Sequence, residues 1–403
     1  MDIYVARQPI FNKKKKLYGY ELLFRDRLSN AFPDVDGDMA TSKVLSHSFL
    51  SFGMDRMTSG RNAFINFTNQ LLVKRIPLLF PKTRLVVEVL EDVEPADPVV
   101  EACRELRCMG YRLALDDFVY KKEMEPLMAL AGIVKVDFML TQGDQLTDLV
   151  RKLTRFHIKL LAEKVETYEA FRQALDLGFE YFQGYFFSKP EILRGKGPSS
   201  AKLTLLQIMA EANRQDCSFQ EIEKVIQRDV SLSYKLMRYI NSAYFRRAQE
   251  ISSMRQAIVL LGEKEIRRFV SLMALASLAE DKPGELMRAS IVRAKLCELL
   301  GKVNSTQVDE AELFILGLFS LIDAILDQPM EAVMKELPLA DEIKGAIVKG
   351  EGRLAPYLHV VSAYESGDWE GLKDAAAKAG IQEDALPQHY LEAVVWAENI
   401  ASL

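Results

Sequence analysis

The chain has 403 residues, 49% of them hydrophobic and 27% charged, with 52 Lys and Arg against 57 Asp and Glu for a net charge of −5. That ordinary globular balance is long enough for more than one domain at roughly 150 residues each, with ample chain to bury a core without disulfides or structural metals. It shows no basic excess of the kind that marks a nucleic-acid binder, so nucleic acid is not an expected partner.

Up to residue 190, short β-like runs alternate with helical ones. Val5-Ala6 leads into a Pro-containing turn, and Asn12-Lys13-Lys14-Lys15-Lys16 reads as an exposed hairpin tip before Leu17–Phe24. Further strands are predicted at Ala63–Phe67, Arg84–Leu90, Arg112–Leu115, Ile133–Val136, Lys159–Ala162 and Tyr181–Phe182. Helical patterns lie between them, such as Pro98–Arg107 and Tyr168–Leu177, the latter stopped by Gly178. That alternation predicts a parallel α/β sheet, and its repetition a barrel. The stretch Arg194-Gly195-Lys196-Gly197-Pro198-Ser199-Ser200 has linker composition. From Ala201 nearly everything has helical period: Leu203, Leu206, Ile208 and Met209 open one amphipathic helix, and Ile222, Val225 and Ile226 carry another. Ala257–Leu261 is expected to stop at Gly262, and Pro387 through Ile400 to form a final helix. The expected organisation is a barrel over 1–192, a linker over 193–200 and an all-helical domain over 201–403.

The chemistry stands at the ends of the β-like runs. Glu21, Asn66, Glu88, Asp116 with Asp117, Lys135 with Asp137, Glu163 and Gln183 each close one. In a parallel barrel the C-terminal strand ends converge on one mouth, where catalytic residues sit. Four or more carboxylates in one pocket repel each other and call for hard divalent cations with oxygen ligands, Mg²⁺ or Mn²⁺. Two such ions bridged by one carboxylate of the Asp116-Asp117 pair would suit phosphodiester hydrolysis. A lone acid at a strand end is more often a helix cap or a salt bridge; a set recurring at successive ends is not.

These residues also resemble a known family. Glu21-Leu22-Leu23-Phe24-Arg25 resembles the ExLxR signature of EAL domains, the cyclic di-GMP phosphodiesterases. The likeness continues through Phe64-Ile65-Asn66, Glu88-Val89-Leu90-Glu91, Leu115-Asp116-Asp117-Phe118, Val134-Lys135-Val136-Asp137 and Ala162-Glu163-Lys164-Val165-Glu166-Thr167. It closes with Phe182-Gln183-Gly184-Tyr185-Phe186-Phe187-Ser188-Lys189-Pro190. The resemblance implies a TIM-like (β/α) barrel that hydrolyses cyclic di-GMP to linear pGpG with two metal ions. It matches Glu21, Asn66, Glu88 and Asp116 to ligands of the first ion, and Asp116, Asp117 and Glu163 to the surroundings of the second ion and the attacking water. Lys135 matches the lysine that holds that water, and Gln183 a polar residue completing the site. Arg25 matches a contact to a substrate phosphate, for which a guanidinium fork is suited, and Gln183 and Pro190 lie on the substrate side. Glu91 matches the glutamate that braces the loop after the aspartate pair.

That loop departs from the family. The usual reading is DDFG and then a Gly/Ser-rich stretch that organises the second metal and the dimer. Here it is Asp117-Phe118-Val119-Tyr120-Lys121-Lys122-Glu123, without glycine. Val119 cannot enter positive φ cheaply, so the loop is expected to take another path. The ligand set favours an enzyme; the altered loop favours an alternative, a catalytically inactive cyclic di-GMP receptor or protein-interaction scaffold.

In the second half, Val225–Leu232, Arg238–Tyr244, Ile251–Ile258 and Leu260-Leu261-Gly262 resemble HDOD domains, helical relatives of HD phosphohydrolases. An HD site needs several histidines with aspartates around metal. The chain's histidines are His47, His157, His359 and His389, and Gly317–Asp323 carries Ser320-Leu321 where a His-Asp pair would stand. Hydrolysis is therefore excluded there, and the resemblance implies a regulatory module with an unidentified protein partner; a homodimer is expected by analogy. Arg246-Arg247 and Arg267-Arg268 read as solvated surface, and Trp369 and Trp396 as packing residues. Cys103, Cys108, Cys217 and Cys297 form no CxxC, and free thiols at that density fit a reducing compartment. Met1-Asp2-Ile3-Tyr4 is no signal-peptide start, and no apolar run approaches the roughly 18 residues of a membrane span. A cytoplasmic location with no membrane partner is expected.

Overall fold

The computed structural model describes residues 4–25, 54–189, 205, 226, 230–241, 245, 251, 253–303, 308–337 and 339–401. The chain divides into two compact units, one of Met1–Phe187 with Tyr364–Trp369 and one of Ser188–Ala363 with Glu370–Leu403.

Eight strands close a barrel in the first unit: β1 Tyr4–Asn12, β2 Leu17–Arg25, β3 Asn62–Phe67, β4 Leu85–Val89, β5 Arg112–Leu115, β6 Ile133–Asp137, β7 Lys159–Glu163 and β8 Tyr181–Gln183. From β2 to β8 each strand pairs with the next in parallel. Strands covered on both faces read as near-continuous apolar runs, which is why LVVEV and IVKVD lack the alternation of a half-exposed sheet.

The departure from the expected parallel sheet is β1, antiparallel to both β2 and β8. It also runs straight through Pro9, where the sequence suggested a turn. Pairing with β8 covers only Ile10, Phe11 and Asn12, so Pro9 sits before that ladder begins and its missing N–H leaves no bond to β8 unmade. The β1–β2 tip is the lysine run: Asn12 Oδ1 accepts from the amides of Lys14 and Lys16, and Lys15 turns at φ 55°. Its ammonium lies 4.3 Å from the Tyr168 ring centroid, a contact on the turn and not an anion patch.

Helices α1 (Asn69–Val73), α2 (Asp97–Cys108), α3 (Glu125–Met128), α4 (Gly143–Thr154) and α5 (Tyr168–Asp176) stand between strands. Their starts are local chemistry. Thr68 accepts from the amide of Leu71 and Thr167 from that of Ala170, while α2 carries Pro98 in its first turn. Gly178, just past α5, takes φ 93° as a helix-terminating glycine does.

The barrel interior is layered. Ile10, Phe64, Val86, Ala114, Ile133, Leu161 and Tyr181 form one buried cluster, with Tyr18 packed against it. Each strand but β2 supplies one member of the cluster, Tyr18 of β2 sits where the β1–β2 register shifts, and side chains return to the inward face every second residue.

The described helices of the second unit include α6 (Val230–Ile240), α7 (Met254–Leu278), α8 (Gly284–Val303), α9 (Glu310–Phe319), α10 (Ile322–Leu326), α11 (Met330–Glu336) and α12 (Asp341–Lys349). The helices expected around 203–209 and 222–226 lie almost wholly outside the described residues, as do Arg246 and Arg247. Within α7, Gly262 takes φ 72° and ψ 174° and breaks the helical backbone, so one helix stops at the glycine as expected and a second continues beyond the kink. The final helix spans Leu386–Ala401, and Trp396 packs edge-on against Phe314 at 5.9 Å.

Arg268 is not the solvated surface residue the sequence suggested. On α7, it reaches Glu298 of α8 at 3.1 Å; Lys302 and Lys295 meet the same carboxylate at 2.7 and 3.4 Å. The Glu298 side chain is 1% exposed. Burial pushes its carboxyl upward, but Arg268, Lys295 and Lys302 outweigh that and hold it below the usual glutamate value of 4.5. A depressed carboxyl stabilises the fold above its unfolded-state value, and that contribution is lost as pH falls through the folded-state value. Removing one partner of a buried pair leaves its cations uncompensated. Glu298→Gln should therefore cost the helical unit about 3 kcal/mol at neutral pH. Hydrogen exchange on α7 and α8 peptides should show this deficit narrowing as the pH falls below 4.5; a deficit independent of pH would dismiss the charge argument.

Candidate active site at the barrel mouth

The functional side chains stand one layer above the apolar floor. Two residues beyond Phe64 is Asn66, beyond Val86 is Glu88, and beyond Ala114 is Asp116. Lys135 follows Ile133, Glu163 follows Leu161 and Gln183 follows Tyr181 by the same step. The period of two keeps each on the same inward face, at or next to the C-terminal end of its strand except for Lys135, which is mid-strand in β6. Glu21 joins them from β2 through Gly19, where a Cβ would lie 2.7 Å from the Asn62 carbonyl oxygen.

The layer converges on Lys135, whose side chain is 0% exposed. Its Nζ meets Asp116 Oδ1 at 2.6 Å, Glu88 Oε1 at 2.8 Å, Glu163 Oε1 at 2.9 Å and Glu21 Oε2 at 3.1 Å. Glu21 also accepts from Asn66 Nδ2 at 3.2 Å and from Gln183 Nε2 at 2.7 Å. Burial alone would lower the lysine's affinity for its proton, but the four carboxylates outweigh it and hold the ammonium well above the ordinary value. One cation cannot answer four acids. Burial, only partly offset by Lys135, pushes the carboxyls of Glu88 and Glu163 well above the carboxylate range.

Asp117 lies outside this strand register. It follows Asp116 at φ 39°, a left-handed conformation that aspartate tolerates better than most residues. Val119 has no positive φ; Asp117 makes the turn, and the Phe118 amide donates to the Lys135 carbonyl. Beyond it Tyr120 donates to Glu125, the Lys152 ammonium covers the Tyr120 ring at 4.8 Å, and Val119 is left 67% exposed.

Glu91 is exposed on the turn after β4, outside the cluster. Arg25 ends β2, but its side chain is not among those described; Pro190 lies outside the described residues. The sequence reading missed Gln8, whose Oε1 accepts from Gln183 Nε2 at 2.9 Å. Because β1 runs antiparallel, the mouth residue on it lies two positions before Ile10, not two after. An amide two residues from a floor residue was the available signal.

Glu88 Oε2, Asp117 Oδ1, Glu163 Oε2 and Gln183 Oε1 are buried and accept no hydrogen bond. Such orphaned hard oxygens beside excess negative charge suit Mg²⁺ or Mn²⁺. Among the described residues no group of three or more His, Cys, Asp or Glu side chains stands at metal-ligand spacing, because the carboxylates are gathered on Lys135. The donor set fits a divalent ion; taking one up requires the acids to regroup around it.

Among its described residues the helical unit offers no comparable site. Ser320 Oγ donates to the Gly317 carbonyl at 2.7 Å and accepts from Arg293 at 3.3 Å where the His-Asp pair would stand. Among the described residues no helix is long and apolar enough to cross a membrane.

Comparison with known proteins gives two family matches, the EAL domain over residues 39–190 and the HDOD domain over residues 199–336. The protein named Cyclic di-GMP phosphodiesterase CdgJ from Vibrio cholerae serotype O1 is 39% identical, over 99% of this chain and 93% of that protein. Uncharacterized protein YuxH from Bacillus subtilis (strain 168) is 36% identical, over 99% of both chains. Among solved structures, a standalone EAL protein from Vibrio cholerae O395 in its c-di-GMP-bound form is 25% identical over 47% of this chain and 92% of that one, with a TM-score of 0.34.

Proposed function

This chain belongs to the EAL–HDOD family of two-domain proteins, and from that membership we propose that it hydrolyses cyclic di-GMP to pGpG at the barrel mouth, with the helical half as a regulatory and protein-interaction module. The observation that carries the proposal is the convergence of Glu21, Glu88, Asp116 and Glu163 on one buried lysine. EAL phosphodiesterases are generally divalent-metal dependent. Here Glu21, Asn66, Glu88 and Asp116 would hold a first Mg²⁺ or Mn²⁺, and Asp116, Asp117 and Glu163 a second. A bound ion would supply Lewis-acid polarisation and neutralise charge on the phosphoryl oxygens.

The chain's own groups do the rest. Lys135, released from part of its carboxylate shell, orients the attacking water through its ammonium. Glu163, 2.9 Å from Lys135 Nζ, would as a carboxylate accept a proton from the water that Lys135 orients. Gln183 fixes Glu21 and closes the substrate side with Pro190, Arg25 presents its guanidinium fork to a substrate phosphate, and Glu91 braces the loop after Asp117. We assign residues 1–192 to the catalytic domain, 193–200 to the linker and 201–403 to the helical domain, with homodimerisation as the assembly and the cytoplasm as the location.

Incubation of the purified chain with cyclic di-GMP and Mg²⁺ or Mn²⁺ should yield pGpG. No turnover with either ion, where a control enzyme works, would overturn the catalytic reading and leave the receptor or scaffold reading. The glycine-free Val119–Glu123 loop is the observation that favours that alternative, and calorimetry with cyclic di-GMP would separate receptor from scaffold.

A further inference from the structure

Ser366 is the last residue of the helix Ala355–Ser366, and Gly367 just past it takes φ 71°. A helix end leaves its last carbonyls without partners inside the helix. This end belongs to the barrel's own compact unit, which includes Tyr364–Trp369. The buried Tyr364 donates through its hydroxyl to the Val5 carbonyl at 3.3 Å, and a Cβ on Gly367 would stand 2.9 Å from Leu23 Cδ1. The Ser366 carbonyl is answered from β1, where Gln8 Nε2 donates to it at 3.2 Å.

That bond has a direction. A main-chain carbonyl can only accept, so Gln8 turns its nitrogen to Ser366 and its oxygen to the other side. There Gln8 Oε1 accepts from Gln183 Nε2 at 2.9 Å, and the same nitrogen donates to Glu21 Oε2 at 2.7 Å. Gln183 Oε1 is left buried and accepting nothing. Glu21, as a carboxylate an acceptor only, demands the same orientation of Gln183 from the other end. One polarity therefore runs from the Ser366 carbonyl through two amides to the mouth.

We infer that Gln8 is a positioning residue of the mouth: anchored on the Ser366 carbonyl, it fixes the side-chain amide of Gln183 and, through it, the carboxylate of Glu21. The inference rests on the catalytic reading of the mouth. Gln8 acts through Gln183 and not on the substrate. Without it, one hydrogen of Gln183 Nε2 loses its acceptor and the amide loses the partner that sets its rotation, a loss on the scale of one hydrogen bond, about tenfold.

The test joins steady-state kinetics of the full chain to magnetic resonance of isotope-labelled glutamine side chains, with Gln183→Leu identifying the Gln183 amide signal. Gln8→Leu should lower kcat about tenfold, keep KM for cyclic di-GMP within about twofold and move a Gln183 amide proton upfield. Gln8→Leu and Gln183→Leu together should be no slower than Gln183→Leu alone, because the first acts only through the second. Gly367→Ala, strained both by positive φ and by the Leu23 contact, displaces the Ser366 carbonyl while changing no side chain of the mouth, and should shift the same proton. If Gln8→Leu opens the β1–β8 seam, seen as lost hydrogen-exchange protection of β1, Gly367→Ala carries the test. An effect of Gln8→Leu confined to KM, or additive with Gln183→Leu, would make Gln8 a direct substrate contact and overturn the inference. A Gln183 signal that either Gln8→Leu or Gly367→Ala leaves in place would overturn it too. The expected shifts in a chain that leaves cyclic di-GMP intact would refute the proposed reaction and leave the orientation of Gln183 by Gln8 standing.

Discussion

Lys135→Met should destabilise the metal-free barrel by about 3 kcal/mol. The ammonium is fully buried and stands within 3.1 Å of four carboxylates. Methionine fills a similar volume, so packing is largely kept and the change isolates the charge. What remains is a group of buried acids facing one another without a counter-charge, the situation in which breaking a buried pair is most harmful. Protons can stand in for the lost cation, because Glu88 and Glu163 are already pushed toward the neutral form by burial. The deficit should thus be smallest in mild acid and grow as the pH rises and those carboxyls ionise. Mn²⁺ should reduce it by binding the folded state. Hydrogen exchange on peptides from β3 to β7 reads this unit separately from the helical one. Unchanged protection without metal would mean that Lys135 is not the counter-charge of the mouth. Turnover should fall as well, since the group proposed to orient the water is gone.

Glu21→Ala should do the reverse, leaving the fold intact while turnover falls by about a thousandfold. Its carboxylate is the meeting point of Asn66, Lys135 and Gln183. Losing it removes one acid from an overcrowded set and leaves Lys135 with three others, so stability should be unchanged or slightly higher. On the proposed reading the chemical step loses a ligand of an ion that would supply several kcal/mol of transition-state stabilisation, and about 4 kcal/mol corresponds to roughly 10³-fold. A variant that still forms pGpG at the original rate would remove Glu21 from the site.

Much of this arrangement was legible because barrels impose a simple grammar. A polar residue two places beyond a buried apolar one, recurring at the C-terminal ends of β3 to β8, can only collect at one mouth. What was illegible depended on direction and partners. Gln8 was missed because β1 runs against its neighbours, and the strand's passage through Pro9 depends on where pairing with β8 begins. Lys135 was read as one site residue among several, because no spacing along the chain reveals that four separate strands will aim carboxylates at one nitrogen. Arg268 was read as surface because the burial of an arginine depends on Glu298, thirty residues on and on another helix.

The antiparallel first strand also sets the order in which the mouth can come into being. Gln8 and Gln183, which touch at 2.9 Å, are 175 positions apart in the chain. The ring is sealed only where Ile10, Phe11 and Asn12 pair with Gln183, Phe182 and Tyr181. Such a distant pairing comes late in folding, since the entropy of closing so long a loop is lost before the contacts return anything. A ribosome-bound fragment that stops short of residue 181 can place its acids at the ends of β2 to β7 but leaves Glu21 without Gln183. Glu21 therefore gains its full set of partners only when the last strand is in place.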